Sequence, residues 1–238
     1  MRSDGNGMAM EKAKQETDEE NEYYALSKRT FGILAPFYDL SAIVLSLGMI
    51  LWVRDRAVAF ANAKPGSRIL DIATGTGRQA FAFAKKGYDV TGIDMSEAML
   101  SIAKKKNRFH NLNFEIGDAT QLRFENSSFD VCCVSFALHD MPPSIRKKVL
   151  GEMARVLKPG GIMVIVDYAL PKNRISRFFI YNFVRLWEKY YSEFIKSDLD
   201  ALLRASEVRI KEELPIILGA GRIVKGIKTG VPDEKNIF

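Results

Sequence analysis

The stretch from Arg68 to Asp94, RILDIATGTGRQAFAFAKKGYDVTGID, limits what this chain can fold into more than any other, because it reads as strand, glycine turn, helix and second strand. Ile69, Leu70 and Ile72 have the length and β-branched content of a buried parallel strand. Thr74-Gly75-Thr76-Gly77 then supplies a tight turn, since glycine tolerates positive φ and lets backbone approach a ligand closely. Ala80, Phe81 and Ala84 continue as a helix, Gly87 fits its stop, and Tyr88 to Ile93 form a second apolar strand that ends on Asp94. Ligands of open α/β sheets bind at the carboxyl ends of strands, where a carboxylate can accept both hydroxyls of a ribose. The pattern therefore predicts a nucleoside-cofactor half-site with Asp94 as the ribose ligand.

Two cofactors compete for such a half-site. Gly75-x-Gly77-x-x-Ala80 also satisfies the loose dinucleotide fingerprint, which seats a pyrophosphate at a helix N-terminus and makes an NAD-dependent dehydrogenase an alternative. Asp71 discriminates between them. The spacing D-x-A-x-G-x-G sets it at the mouth of the turn, where a carboxylate would repel a pyrophosphate but pair with an amino-acid ammonium group. That favours S-adenosylmethionine.

Four ordered segments carry a resemblance. Asp71-Ile72-Ala73-Thr74-Gly75-Thr76-Gly77, Asp94, Gly117-Asp118-Ala119 and Leu157-Lys158-Pro159-Gly160-Gly161 resemble the signatures of class I S-adenosylmethionine-dependent methyltransferases. The resemblance implies a Rossmann-like α/β fold with a seven-stranded mixed sheet, the last strand antiparallel, and helices on both faces. It also implies S-adenosyl-L-methionine as cofactor, bound by Asp71, Ala73, Thr74, Gly75, Gly77, Asp94, Met95, Asp118, Ala119 and Ser135, with Asp118 meeting the adenine amino group. Read alone, Asp118 could instead cap a following helix.

Length and charge narrow the remaining classes. At 238 residues, 47% hydrophobic and 27% charged, the chain can bury one α/β core with additions. Cys132 and Cys133 are neighbours in an apolar strand, where their side chains point to opposite faces, so buried thiols are expected rather than a disulfide framework or a metal site. No segment has signal-peptide character and no apolar run approaches the roughly 20 residues of a membrane span, so a cytoplasmic protein is expected. Residues 1–22 hold three basic and seven acidic side chains, leaving +10 on the remainder of a chain whose net charge is +6. The basic residues are scattered along helices, as on a solvated face, so a nucleic-acid methyltransferase or nucleic-acid-binding module stands only as an alternative.

Residues 1–21 lack an apolar period and read as a disordered or loosely helical acidic tail, residues 22–63 as a helical cap on the substrate side, 64–228 as the cofactor-binding domain, and 229–238 as a frayed tail. Within the cap, Pro36 is expected to divide two helices and Gly48 to break the 14-residue apolar segment Leu40–Val53, which is too short for a span. Ser96 is expected to cap a helix that ends on Lys104, Lys105 and Lys106. A helix from Ser144 to Leu157 precedes the strand IMVIVDYAL, and two further strand candidates, RIKEELPIIL and GRIVKGIK, close the chain.

The substrate side also resembles a family. Phe37-Tyr38-Asp39-Leu40, Leu45-Ser46-Leu47-Gly48 and Trp52-Val53-Arg54 look like the N-terminal region of the ubiquinone/menaquinone-biosynthesis methyltransferases, which methylate a ring carbon of a prenylated quinol precursor. Where those enzymes have an Arg-Asn pair after the fourth strand this chain has His139-Asp140, and Asp167-Tyr168 replaces their Glu-Phe. An arginine suits polarising a phenolic oxygen, whereas a histidine beside a carboxylate suits taking a proton from an oxygen or nitrogen nucleophile. The expectation is His139 as base, Asp140 as its orienting partner and Tyr38 as a wall or donor for substrate. The acceptor is expected to be small and apolar or lipid-like, entering beside Leu40–Val53 and Phe178–Trp187. Arg174, Arg177 and Arg185 would let that side approach an anionic membrane.

Overall fold

The computed structural model describes residues 4–45, 48–185 and 189–230. Helices α1 (Asp4–Leu45) and α2 (Met49–Ala61) precede the sheet, which begins with β1 (Arg68–Ile72), α3 (Arg78–Ala84) and β2 (Asp89–Asp94). Next come α4 (Glu97–Lys106), β3 (Leu112–Ile116), β4 (Phe129–Ser135), α5 (Pro143–Val156) and β5 (Leu157–Tyr168). The chain closes with α6 (Arg174–Arg185), α7 (Tyr191–Lys196), α8 (Leu199–Ala205), β6 (Val208–Ile216) and β7 (Gly221–Lys228).

The seven strands lie in the order β3-β2-β1-β4-β5-β7-β6. Pairing is parallel from β3 through β5, and β7 runs antiparallel to both of its neighbours. Because side chains alternate across a strand, the central strands feed two cores. Leu70, Ile72, Cys132, Val134, Met163 and Ile165 face α5 and α8, while Ile69, Val131, Cys133, Val164 and Val166 face α2, α3 and α4. The two cysteines are free and buried in opposite layers, as the strand period requires. Each fully buried aliphatic side chain contributes about 1.5–3 kcal/mol, so neither layer is dispensable. The strand pattern at the outer edge is different: β6 exposes Arg209, Lys211, Glu212 and Glu213 and carries a bulge between Ile210 and Glu212, which discourages pairing with another chain.

The glycine turn is fixed by close packing. Gly77 has φ 83°, and a Cβ there would lie 2.6 Å from Phe114 Cζ and 3.1 Å from Ala103 Cβ. Ser96 caps α4 by accepting from Met99 N at 3.3 Å, and the three lysines occupy its last turn, as expected.

The N-terminal region departs from the sequence reading. Instead of two pieces divided at Pro36, α1 runs unbroken from Asp4 through Pro36. The proline ring leaves the carbonyl four residues earlier without its helical bond, but that residue is Gly32, exposed and without a Cβ, so water and a small adjustment can satisfy it. The acidic tail is tied to the body by ion pairs from Glu20 to Lys148 at 2.7 Å and from Glu22 to Lys189 at 3.0 Å. Gly48, with φ 78°, does separate α1 from α2. Thr229 is held by two bonds to the Glu207 carbonyl rather than frayed, while residues 231–238 and Trp187 lie outside the described residues.

Asp39 joins α1 to the glycine turn. Its carboxylate accepts from Thr76 Oγ1 at 2.6 Å and Lys106 Nζ at 2.5 Å, and it pairs with Arg78 Nε at 2.8 Å without that N–H being aligned for a hydrogen bond. Burial pushes this carboxyl up, but Arg78, Lys106 and Thr76 outweigh burial and hold it below its ordinary value of 3.8. Asp39→Ala is expected to lower the unfolding free energy at pH 7 by about 1–3 kcal/mol, measured by urea melts. A depressed carboxyl stabilises the fold fully above its unfolded pKa and progressively less as pH falls through the folded one, so the gap between wild type and variant should narrow below pH 3.8.

Candidate active site

Strand order sets the carboxyl ends of β3, β2, β1, β4 and β5 side by side, and each delivers a polar group to one edge of the sheet. After β3, Asp118 Oδ1 accepts from Thr120 N at 2.8 Å and Thr120 Oγ1 at 2.7 Å. This is a turn closed on itself and not a helix cap, since no helix among the described residues lies between β3 and β4. At the end of β2, Asp94 Oδ2 accepts from Gly75 N and Oδ1 from Ser96 N, both at 2.8 Å. Burial raises this carboxyl, and the amides of Ser96, Gly75 and Met95 oppose the rise. One carboxylate thus splices β2 to the glycine turn.

Asp71 is the last carboxylate of β1 and is buried. It accepts from Thr74 Oγ1 at 2.6 Å, and burial pushes it up to about 7 against that bond and the nearby charge of Arg54. Between Asp71 and Gly75 the chain passes through Ala73 at φ 52°, a left-handed conformation rare for a residue with a Cβ, and Thr74 N is tied to the Ile93 carbonyl at 2.9 Å. At the end of β4, Ser135 Oγ accepts from Arg54 Nη1 at 3.3 Å.

A cavity of about 50 Å³ lies at this edge, lined by Ala73, Asp94, Met95, Asp118 and Ala119 from the sheet and closed by Tyr23 and Tyr24 of α1. Tyr24 Oη is 3.1 Å from Thr120 Oγ1 and donates to Asp118 Oδ1 at 3.4 Å. Burial, followed by the charge of Asp140, raises the Tyr23 phenol well above its ordinary value. Sequence reasoning missed both tyrosines, because a contact spanning 94 residues leaves no local period to read.

His139 sits on the 3₁₀ turn Leu138–Asp140 just beyond β4 and is buried. Asp167 at the end of β5 lies 2.7 Å from its Nδ1. Asp167 Oδ2 also accepts from the backbone of Leu138 at 3.0 Å and His139 at 3.3 Å, so one carboxylate fixes both the ring and the turn. A carboxylate at Nδ1 favours the tautomer with the proton there and the lone pair on Nε2. Tyr168 closes over the imidazole edge-on at 4.6 Å.

Arg146 holds this turn from below. Completely buried, it donates from Nε to the Leu138 carbonyl at 3.0 Å and from Nη2 to the Met141 carbonyl at 2.8 Å, and pairs with Glu193 at 2.8 Å. A signal for it existed: Arg146 falls in register with Val149, Leu150 and Met153, inside the apolar face of α5. Tyr38, the third expected catalytic residue, packs edge-on against Phe31 at 6.2 Å and lies near the Arg54 guanidinium.

A single sheet edge carrying a glycine turn, four acidic strand ends and a histidine has the architecture of class I S-adenosylmethionine-dependent methyltransferases. Residues 69–161 match the family model described as a methyltransferase domain. The chain is 35% identical over 176 residues to the demethylmenaquinone methyltransferase of Thermotoga maritima, covering 73% of this chain and 75% of that protein. It therefore belongs to the demethylmenaquinone methyltransferase family. It is also 40% identical over 141 residues to the enzyme of that name from Renibacterium salmoninarum, covering 59% of this chain and 58% of the relative. Identity is 39% over 145 residues to a ubiquinone/menaquinone biosynthesis C-methyltransferase of Bdellovibrio bacteriovorus, covering 59% and 61%. The chain thus spans about three fifths of the length of these last two relatives. Among solved structures, a chain of the complex between the Haloferax volcanii Trm112 methyltransferase activator and a methyltransferase superposes with a TM-score of 0.68 at 17% identity, covering 84% of this chain and 98% of that one. The YcgJ protein of Bacillus subtilis gives 0.57 at 20%, covering 78% and 99%. These two likenesses concern the fold.

Proposed function

We propose that this protein transfers the methyl group of S-adenosyl-L-methionine to a hydroxyl-bearing aromatic acceptor with an apolar body. The observation that carries the reading is the succession Asp118, Asp94, Asp71 with its glycine turn, and His139–Asp167 along adjacent strand ends. In that order they match adenine, ribose, amino acid and reacting methyl. The residues fit the cofactor in charge and sequence. Tyr23 and Tyr24 line the same cavity as Asp94 and Asp118, so the nucleoside would enter beside them.

Bound there, the cofactor supplies a methyl already activated by sulfonium charge. The protein's share is placement and proton handling. The glycine turn and Asp94 would hold the ribose, and His139 lies further along the same sheet edge, where the methyl would be presented. His139, with Nδ1 held by Asp167, offers Nε2 to an acceptor hydroxyl. Removing that proton raises electron density both on the oxygen and on the adjacent ring carbon, so one base serves either acceptor atom. Orientation and exclusion of water then provide much of the acceleration without a covalent intermediate.

A labelled-methyl screen over demethylated quinols, phospholipid amines and soluble phenols tests the acceptor. Quinol methylation is expected, and exclusive activity on a hydrophilic acceptor would overturn the apolar reading. The names of the relatives favour a quinone-type acceptor for them, and the reading extends that chemistry to this chain.

A second reading concerns where the acceptor is met. No helix among the described residues is long and apolar enough to cross a membrane. Yet Ile33, Phe37 and Leu40 on α1 and Trp52 on α2 stand 67, 68, 64 and 53% exposed, and Ile175 and Phe178 project from α6 beside Arg174 and Arg177. Apolar side chains flanked by arginine suit shallow insertion into an anionic bilayer. The wild type is expected to sediment with anionic vesicles, and the double substitution Phe37→Asp with Trp52→Asp to lose about 90% of that binding. Equal sedimentation of both proteins would remove the membrane contact and leave the methyl-transfer reading intact.

A further inference from the structure

We propose that Arg54 is the receptor for the α-carboxylate of the cofactor's amino-acid end, an inference that rests on the cleft being an S-adenosylmethionine site. Three observations converge on it. Arg54 follows the fully buried Val53 on α2, and its main-chain carbonyl accepts from Nε2 of the buried Gln79 at 3.3 Å, so the side chain is launched from a fixed point toward the sheet edge. Its guanidinium reaches Ser135 at the end of β4 through Nη1, at 3.3 Å. The charges around it are those of Asp71, Asp39 and Arg78, with the Tyr38 phenol beside them. Arg54 thus stands between the strand ends assigned to the amino acid and to the methyl.

The third observation is that Arg54 Nε is buried and has no hydrogen-bond partner among the described residues. Buried N–H donors in native proteins are nearly always paired, and an exception points to a group not yet in place. Asp71 acts on Arg54 through its charge but accepts no hydrogen bond from that N–H. A planar guanidinium with one donor free presents the fork that a carboxylate takes. The amino-acid end of the cofactor is a zwitterion, so it needs an anion for its ammonium and a cation for its carboxylate. Asp71 is the first and Arg54 the second.

The test compares ligands that differ only at that end. Calorimetry on the full chain would measure S-adenosylhomocysteine, its decarboxylated analogue, and 5′-methylthioadenosine, which keeps adenine, ribose and sulfur but has no amino acid. Arg54→Met is expected to weaken S-adenosylhomocysteine by about 10- to 100-fold and 5′-methylthioadenosine by less than about 2-fold, the range for hydrogen bonds to charged groups. Arg54→Lys, which keeps the charge and loses the fork, should fall between wild type and Arg54→Met. On the wild type, removing the ligand's carboxylate should cost as much as removing the guanidinium.

Equal losses for both nucleosides in the variants would make Arg54 a structural counter-ion to Asp71 and overturn the proposal. So would equal wild-type affinity for S-adenosylhomocysteine and its decarboxylated analogue, an arm that needs no variant to fold. Failure of the wild type to bind any of the three ligands would overturn the cofactor reading itself. Wild-type binding that depends on the carboxylate but not on Arg54 would overturn this assignment alone.

Discussion

Asp94→Ala should weaken S-adenosylhomocysteine by about 10- to 100-fold in calorimetry, corresponding to roughly 1.5–3 kcal/mol for charge-assisted hydrogen bonds. Two losses combine in it. The ribose hydroxyls lose their acceptor, and the amides of Gly75 and Ser96, both bonded to Asp94 at 2.8 Å, are left to find water. The second loss loosens the glycine turn even without ligand, so faster amide exchange at Gly75 should accompany the weaker binding. Asp94→Asn separates the two, since it keeps an acceptor oxygen for one amide and removes the charge. Unchanged affinity in both variants would detach Asp94 from the cofactor.

Asp167→Asn should lower the rate of methyl transfer by on the order of 10²–10³ while leaving cofactor affinity within about 2-fold, with the acceptor identified in the methyl-transfer screen as substrate. The amide can donate to Nδ1 and stabilise the tautomer whose lone pair faces away from the acceptor, so the geometry persists and the base is lost. Asp140→Asn, in contrast, should cost less than about 5-fold in rate if Asp167 is the sole carboxylate orienting the ring. A reversed ranking of the two variants would return the orienting role to Asp140. His139→Gln should lower the rate by a factor similar to that of Asp167→Asn with cofactor affinity unchanged, and an unaltered rate would remove His139 from the chemistry.

Local pattern made the sheet and the cofactor side readable. Ile69, Leu70 and Ile72, the glycines at 75 and 77, and Asp94 lie within one strand-turn-helix-strand unit, where spacing alone determines which side chains reach the strand ends. Ser96 and the lysines after Ala103 were equally local, since a cap and a helix dipole act within a single turn. The surroundings of His139, the proposed base, were only half legible. His139 could be placed by its position after β4, but the sequence offered the adjacent Asp140, whereas the 28-residue connection to Asp167 depends on β4 and β5 lying side by side. The long reach of α1 was hidden for another reason. A polar, acidic segment without an apolar stripe resembles a disordered tail, and what holds it are separate contacts from Glu20, Tyr24 and Asp39 to groups far along the chain.

Those contacts make α1 a ruler laid across the cleft. Tyr24 touches the turn assigned to adenine and Asp39 touches the glycine turn, fifteen residues or about 22 Å apart at 1.5 Å per residue. A stiff rod pinned at both ends would have to release the glycine turn each time a nucleoside entered. The rod has a weak joint, however, because Gly32 and Pro36 between the pins lack one helical bond. Bending there would let the Tyr24 half swing clear while Asp39 keeps Thr76 and Lys106 in place. Such a joint would uncouple cofactor exchange from the integrity of the turn that receives it.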